Sequence, residues 1–392
     1  MAMQGGAVDN ASERLAWIKL ALMPNIGTEA FARLLAHYGS AVAVWAAEDE
    51  VAAVLPTQAA RTAWRSRQHE AEAAAEAACR WEEQENCTLL LSCDAGFPAM
   101  LGEGLTPPPL LFVRGNSRLL SAAGVAVVGS RHATPQAMRI AADFGAALAE
   151  QGLVTVSGMA AGIDTAAHEG ALRQGGGTVA VWGTGIDRVY PTGNKALAHR
   201  IAEHGCIISE FPLGTRPLAA NFPRRNRLIA ALAQGVLVVE AAVESGSLIT
   251  ARLAAEMGRE VFAVPGSIDN PHSKGCHALI KQGAKLTESL ADILEECPLL
   301  AEPPGLPVKA GGQIAAVPSL SESGEADDPP PPAEGGGALL AAMGYAPVHP
   351  DTLAQTLGIP AADVYAEITL LEIEGCVAPL PGGRYQRVRS RD

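Results

Sequence analysis

The chain is short of aromatic side chains, of paired cysteines and of positive charge, and each shortage removes a class of protein. Phe, Trp and Tyr make up 4% of 392 residues while 48% are hydrophobic and 41 are Gly, which fits an Ala-rich α/β chain. The seven cysteines (Cys79, Cys87, Cys93, Cys206, Cys276, Cys297 and Cys376) form no CxxC pair and no Cys/His metal spacing. A scattered, odd set reads as reduced thiols in the cytoplasm, without a disulfide framework or a bound metal. Lys and Arg number 29 against 42 Asp and Glu, a net charge of −13, which argues against gripping duplex DNA by bulk positive charge. A local basic groove is still allowed, because salt screens charges beyond about 8–10 Å. Residues 1–10 lack the basic-then-apolar order of a signal peptide. No run approaches the roughly 18 apolar residues of a membrane span. A P-loop is missing as well: Gly-x-x-x-x-Gly-Lys-Ser/Thr does not occur.

Against this background one basic stretch stands out, Asn221-Phe222-Pro223-Arg224-Arg225-Asn226-Arg227. It runs into the apolar segment 228–232, so it is expected in the first turn of a helix, where free N–H groups and the macrodipole also attract anions. Three guanidinium forks suit phosphate, the amides offer donor and acceptor, and the ring can stack on a base. Three like charges crowded there need a polyanion, or else internal carboxylates, to neutralise them.

The length allows two or three domains. Residues 1–85 read as a small helical domain: two helices within 12–37 flank Pro24-Asn25-Ile26-Gly27, a turn that resembles a helix-hairpin-helix, and 59–84 reads as one charged, Ala-rich helix. Residues 86–298 form the core. After strands at 88–92 and 110–114, apolar strands at 125–128, 153–156, 178–182, 206–209, 236–239 and 261–264 alternate with helical segments. That pattern predicts a mostly parallel, Rossmann-like α/β sheet covered on both faces, with functional loops at the strands' C-terminal ends. Those loops begin at Gly129-Ser130-Arg131, Ser157-Gly158, Gly183, Glu210, Glu240 and Pro265, and all are rich in Gly, Ser, Thr or Arg. Together they predict a phosphate-lined groove along one edge. Residues 299–337 read as a disordered linker. Residues 338–392 read as three short helices and a hairpin, a winged-helix pattern whose third helix (361–374) is acidic and suited to protein docking.

Two enzymatic readings compete. A dinucleotide oxidoreductase would need Gly-x-Gly-x-x-Gly after the first strand and an acid at the end of the second; Gly129-Ser-Arg-His-Ala and Ser157-Gly158 supply neither. A nucleotide hydrolase has raw materials in Ser157, Ser245, Ser247, Asp164, His168, Glu210, Glu240 and Glu244, but Ser157 lacks the Gly-x-Ser-x-Gly elbow. Asp164 and His168 are four apart on one helix, a spacing more often structural than catalytic. His272 and His277 lack a carboxylate partner at ligand spacing. A Rossmann-type nucleotide-binding hydrolase using a Glu of the 240–244 segment is the alternative reading.

Taken in order, Val127-Val-Gly-Ser-Arg131, Ser157-Gly-Met-Ala-Ala-Gly-Ile-Asp164, Ser209-Glu-Phe-Pro212, Asn221-Phe-Pro-Arg-Arg-Asn-Arg227, Val239-Glu-Ala241, Ser245-Gly-Ser-Leu-Ile-Thr250 and Gly258-Arg-Glu-Val-Phe-Ala-Val-Pro-Gly266 resemble the DNA-processing protein A (DprA/Smf) family. The set spans the whole core, and the flanks resemble the family's N-terminal helical and winged-helix domains. The resemblance implies a non-enzymatic, cofactor-free binder of single-stranded DNA that protects incoming strands in natural transformation and loads the RecA recombinase. Carried over, the DNA-binding positions are Gly129, Ser130, Arg131, Ser157, Gly158, Gly162, Asn221, Phe222, Arg224, Arg225, Asn226, Arg227, Ser245, Gly246, Ser247 and Thr250. The arginines would hold phosphates, Phe222 would stack on a base, and the Ser157–Gly158 and 245–250 loops would donate N–H and hydroxyl groups. Ala219 stands where some relatives carry Lys, removing one phosphate contact. His277, Ile280 and Leu286 match the family's dimer surface, so a homodimer is expected.

Overall fold

The computed structural model of the chain describes residues 10–300, 336–374, 376–380 and 382–387. Most of the expected linker at 299–337 therefore lies outside the described residues, as does residue 388 at the end of the expected hairpin.

The N-terminal region is six helices: α1 (Asn10–Ala21), α2 (Thr28–Tyr38), α3 (Ala41–Ala46), α4 (Val51–Val54), α5 (Gln58–Ser66) and α6 (Gln68–Glu82). Side-chain caps set two of the starts. Ser40 accepts from the Ala43 N–H at 3.1 Å and Thr57 from the Ala60 N–H at 3.1 Å, each satisfying a donor the helix leaves open. The expected single helix over 59–84 is two, broken at Arg67 (φ −123°, ψ 19°). The break lets each piece face its own core. Ala60, Ala63 and Trp64 of α5 pack with Phe31, Leu34 and Val44, whereas Ala75, Ala78 and Trp81 of α6 pack with α1 against the sheet. Residue 85 thus marks a change of secondary structure but not a gap in packing: Ile18, Leu22 and Trp81 share one cluster with Leu89, Leu91 and Phe112.

The core sheet has nine strands: β1 (Cys87–Leu91), β2 (Leu110–Gly115), β3 (Gly124–Val128), β4 (Val154–Ser157), β5 (Thr178–Trp182), β6 (Cys206–Ser209), β7 (Gly235–Val238), β8 (Glu260–Ala263) and β9 (Lys285–Leu286). Their spatial order is β1-β2-β6-β5-β4-β3-β7-β8-β9. The pairs from β6 through β9 are parallel, while β1 and β2 run antiparallel and close the other side through β2·β6. The two-residue β9 is too short to leave a sequence pattern. Alternation sorts the strands onto two faces. Ala126 and Val128 point toward α10 (Asn221–Ala231), α11 (Ser247–Glu256) and α12 (Lys274–Lys281); Val125 and Val127 point toward α7 (Pro135–Glu150), α8 (Ile163–Arg173) and α13 (Leu290–Glu296), with α9 (Lys195–His204) alongside. Chain order reverses at β3, which has β4 on one side and β7 on the other. The loops leaving β3 and β7 therefore part there and open a crevice at the strands' C-terminal ends.

Helices α7 and α8 explain much of the Ala and Gly content. They approach so closely that a Cβ on Gly170 would stand 2.0 Å from the Ala142 carbonyl oxygen, and one on Gly145 2.3 Å from that of Ala167. Beneath α8 the buried His168 places Nδ1 2.7 Å from Thr178 Oγ1, whose own proton goes to the Thr155 carbonyl at 2.8 Å. Thr178 must then accept, so His168 is the neutral Nδ1–H tautomer. It does not pair with Asp164. Burial, with a smaller push from Arg225, lowers its pKa from 6.5 to about 3.

Beyond the core, α14 (Gly336–Met343), α15 (Pro350–Leu357) and α16 (Ala361–Ile373) precede a hairpin of β10 (Val377–Leu380) and β11 (Arg384–Arg387). Leu339, Met343, Leu353, Val364, Ile368, Leu371 and Val377 form their common core, the expected winged-helix arrangement. No helix among the described residues is long and apolar enough to cross a membrane. All seven cysteines are free thiols.

Two outcomes test this packing. Gly170→Ala forces a methyl into the α7·α8 contact and should destabilise the protein by about 1–3 kcal/mol, the usual range for overpacking, as measured by urea unfolding. For His168, the folded pKa lies below the unfolded one, so its contribution is complete above pH 6.5 and is lost as pH falls toward 3. Between pH 6.5 and 5 the wild type should lose about 2 kcal/mol more stability than His168→Gln.

Candidate nucleic-acid interface

The crevice between the β3 and β7 loops is an open groove of about 740 Å³, lined among others by Gly129, Ser130, Arg131, Tyr190, Ala219, Phe222, Arg225, Asn226, Ser245, Gly246, Ser247, Thr250 and His272. The sequence-predicted positions thus converge, but they divide into groups that face it and groups that build it.

Arg225 belongs to the builders. It is 4% exposed; its Nη1 donates to the Val181 carbonyl at 2.6 Å, at the end of β5. The guanidinium lies flat against Gly158, where an added Cβ would stand 1.9 Å from Nη1. Burial lowers the Arg225 pKa to about 10, with Asp164 pulling the other way, so the group remains charged at neutral pH. Asp164 is also buried. Burial raises its pKa, opposed by Arg225 and by the Ala160 and Gly158 amides. Those amides donate to its Oδ2 at 3.3 and 3.1 Å. Between them Met159 holds φ +62°, a strained left-handed conformation for a side chain of its size. Its carbonyl accepts from Asn194 Nδ2 at 2.9 Å. Gly162, at φ +79°, lets the turn pass the Ser130 carbonyl, which a Cβ would approach to 2.3 Å.

These bonds correct three expectations. The Ser157 hydroxyl donates to the Val127 carbonyl at 2.6 Å and the Gly158 amide to Asp164, so neither is free for a ligand. Arg225 points inward because Asn221, Leu228 and Ile229, on the same face of α10, are buried too. Arg227 is tied to the side chain of Glu210 and to the Thr106 carbonyl at 3.2 Å, so its charge is compensated. Arg131 and Arg224 are the exposed pair. Arg131 places its guanidinium carbon 5.3 Å from the Phe222 ring centroid, and Arg224 the same distance from that of Phe211.

Glu240 is 4% exposed and holds the β3 loop. Its Oε1 accepts from the Thr134 N–H at 3.1 Å and its Oε2 from the Thr134 hydroxyl at 2.8 Å. Its carbonyl accepts from the Ser130 N–H at 2.7 Å. Across the groove Ser245 and Ser247 join their hydroxyls at 2.7 Å and Asn226 donates to the Gly246 carbonyl at 3.4 Å. Thr250 is buried beneath them. His277 bonds the Gly266 carbonyl at 3.0 Å; among the described residues no group of three His, Cys, Asp or Glu is placed to hold a metal ion. His277 and Ile280 lie on α12, and Leu286, 44% exposed, on the edge strand β9. Sequence reading missed Glu240 as an anchor and Tyr190 on the groove wall. An aromatic in a Gly-rich strand-end loop was the available signal for Tyr190.

Comparison with known proteins supplies the lineage. The family described as DNA recombination-mediator protein A matches residues 88–298, flanked by a DprA-like N-terminal HHH domain at 11–79 and a DprA winged helix domain at 323–383. Protein Smf of Escherichia coli is 40% identical over 311 residues, covering 79% of each chain. DNA processing protein DprA of Streptococcus pneumoniae is 50% identical over 203 residues, 52% of this chain and 72% of its own. The X-ray structure of the Streptococcus pneumoniae DprA superimposes with a TM-score of 0.64 at 38% identity, covering 72% of this chain and 97% of that one. With the fold, the groove and the ordered motifs all in agreement, the chain belongs to the DNA recombination-mediator protein A (DprA/Smf) family.

Proposed function

We propose that the chain binds single-stranded DNA along the β3–β7 groove, without reading sequence and without catalysis, and delivers the strand to the RecA recombinase during DNA uptake. The observation that carries the reading is the division of charge around the groove. Two guanidinium groups, Arg131 and Arg224, stand exposed, while Asp164, Glu210 and Glu240 are each engaged by the protein's own donors, which leaves Glu244 as the exposed carboxylate on the groove wall. Phosphates meet base-free cations, and such contacts carry no sequence information. The relatives named DNA processing protein DprA support DNA as the ligand. Of the carboxylates the hydrolase alternative would use, Glu240 is withdrawn, because both its oxygens accept from Thr134; the exposed Glu244 on the groove wall is the one the hydrolysis assay below tests. Free thiols fit a cytoplasmic site of action.

We further propose that His277, Ile280 and Leu286 pair two copies. β9 is an edge strand with open backbone groups, and its Leu286 is 44% exposed. Pairing puts two grooves on one strand, so modest affinities combine as avidity.

Gel shift and fluorescence anisotropy with a single-stranded oligonucleotide and its duplex test the binding, run beside a nucleotide-hydrolysis assay. Single-strand preference with no hydrolysis is expected; equal binding of duplex, or turnover, overturns the reading. RecA filament growth on strands coated with single-strand-binding protein should accelerate when the chain is added. Arg131→Ala and Arg224→Ala should each weaken binding and reduce the salt slope by about 0.7, with unfolding unchanged. Arg225→Ala should instead lower stability by about 3–5 kcal/mol, because it leaves Asp164 as a buried charge without its counterpart. Leu286→Asp should yield monomers in sedimentation and weaker binding to long strands, with little loss on strands too short for two grooves.

A further inference from the structure

Phe222 is placed to support a stacking surface more than to be one. Its ring is half-buried and already has three neighbours. Gly183 lies under one edge, where an added Cβ would stand 3.0 Å from Cδ1; the Arg131 guanidinium carbon is 5.3 Å from the centroid; the Tyr190 ring is 5.5 Å away, tilted by 37°. A stacked base needs an open face at a similar centroid distance. Tyr190 offers one: it is 42% exposed, lines the groove, and backs onto Phe222.

The loop that carries Tyr190 is built to hold it there. Thr184 donates its hydroxyl to the Arg188 carbonyl at 2.7 Å, and the Arg188 N–H donates to the Gly185 carbonyl at 2.9 Å. Asp187 accepts from the Gly214 N–H at 2.8 and 3.0 Å, and the Gly185 N–H donates to the Thr215 carbonyl at 3.1 Å. On the far side Asn194 bonds the Met159 carbonyl at 2.9 Å and the Thr165 hydroxyl at 2.8 Å. Ile186 is buried as the loop's apolar anchor. An exposed aromatic on a tied loop loses little freedom when a flat ligand covers it.

We infer that Tyr190 is the base-stacking platform of the groove, with Phe222 as its backing and Arg131 beside them to take the adjoining phosphate. The ligand class is an unpaired nucleobase of either type, since every base presents a π-face. This rests on the single-strand reading above and assigns its non-electrostatic part to one ring.

The test uses the full chain with two probes of equal length, an oligothymidylate and the corresponding abasic strand. Wild type should prefer the base-bearing strand. Tyr190→Ala should bind it roughly 5- to 100-fold more weakly, no longer distinguish the two strands, and keep the wild-type salt slope. Tyr190→Phe should behave as wild type and Tyr190→Leu as Tyr190→Ala, a comparison that stands even if the Ala variant unfolds. Full affinity in Tyr190→Leu, or a preference for bases that survives in Tyr190→Ala, overturns the assignment. Wild type that binds neither strand removes the single-strand reading itself, an outcome distinct from all of these.

Discussion

A single buried guanidinium fixes the geometry of this groove. Arg225 leaves α10, crosses beneath the strand ends, lies on Gly158 and bonds the carbonyl of Val181. It thereby holds β4, β5 and α10 in one register at the point where the chain's order across the sheet reverses. A charge taken out of water is unfavourable by several kcal/mol unless it is compensated. Asp164 supplies the compensation from the start of α8, while the Gly158 and Ala160 amides keep that carboxylate satisfied in turn. No side chain larger than hydrogen fits at Gly158, and the turn beyond it accepts the strained backbone of Met159. Rigid walls follow from this arrangement rather than from the loops themselves.

The same arrangement determines what the groove can offer a ligand. Gly-rich loops at strand ends are commonly phosphate nests, but here the amides of Gly158, Ala160 and Ser130 are consumed by Asp164 and by the Glu240 carbonyl. On that side of the groove recognition is left to side chains. Two exposed cations, each over an aromatic ring, and an aromatic face describe a surface for a flexible strand better than one for a compact nucleotide clasped by backbone amides.

Much of the fold was legible because buried parallel strands are nearly uninterrupted apolar runs. Thr178–Trp182 and Cys206–Ser209 stand where their hydrophobicity places them. The winged helix was legible from the spacing of Val364, Ile368 and Leu371. The break at Arg67 was not, since no Gly or Pro marks it; it arises because α5 and α6 serve different cores. At the site, composition located the groove but did not orient its arginines. Position 225 precedes Leu228 by three and Ile229 by four, which puts it on the buried face of α10, whereas Arg224 falls off that face. Helical phase held that information. Its partner Asp164, 61 residues earlier in the chain, lay beyond any local pattern, as did the engagement of Arg227 by Glu210.

The proposed binding of a polyanion by a chain of net charge −13 raises a quantitative question. Screening over about 8–10 Å confines each site to the charges of its own neighbourhood. Among the basic positions expected at the site, Arg227 is neutralised by Glu210 and Arg225 faces Asp164, which leaves Arg131 and Arg224 as the exposed ones. Two phosphate contacts on a single strand give a salt slope of only about −1.4, much shallower than that of proteins held by counterion release. Under the single-strand reading, the remaining affinity has to come from stacking and from a second groove on the same strand. Both terms are nearly independent of salt and of sequence. On the proposed pairing of two copies, an acidic protein with few exposed arginines at its groove is suited to hold an unpaired strand while releasing it readily, since two weak grooves can let go one at a time.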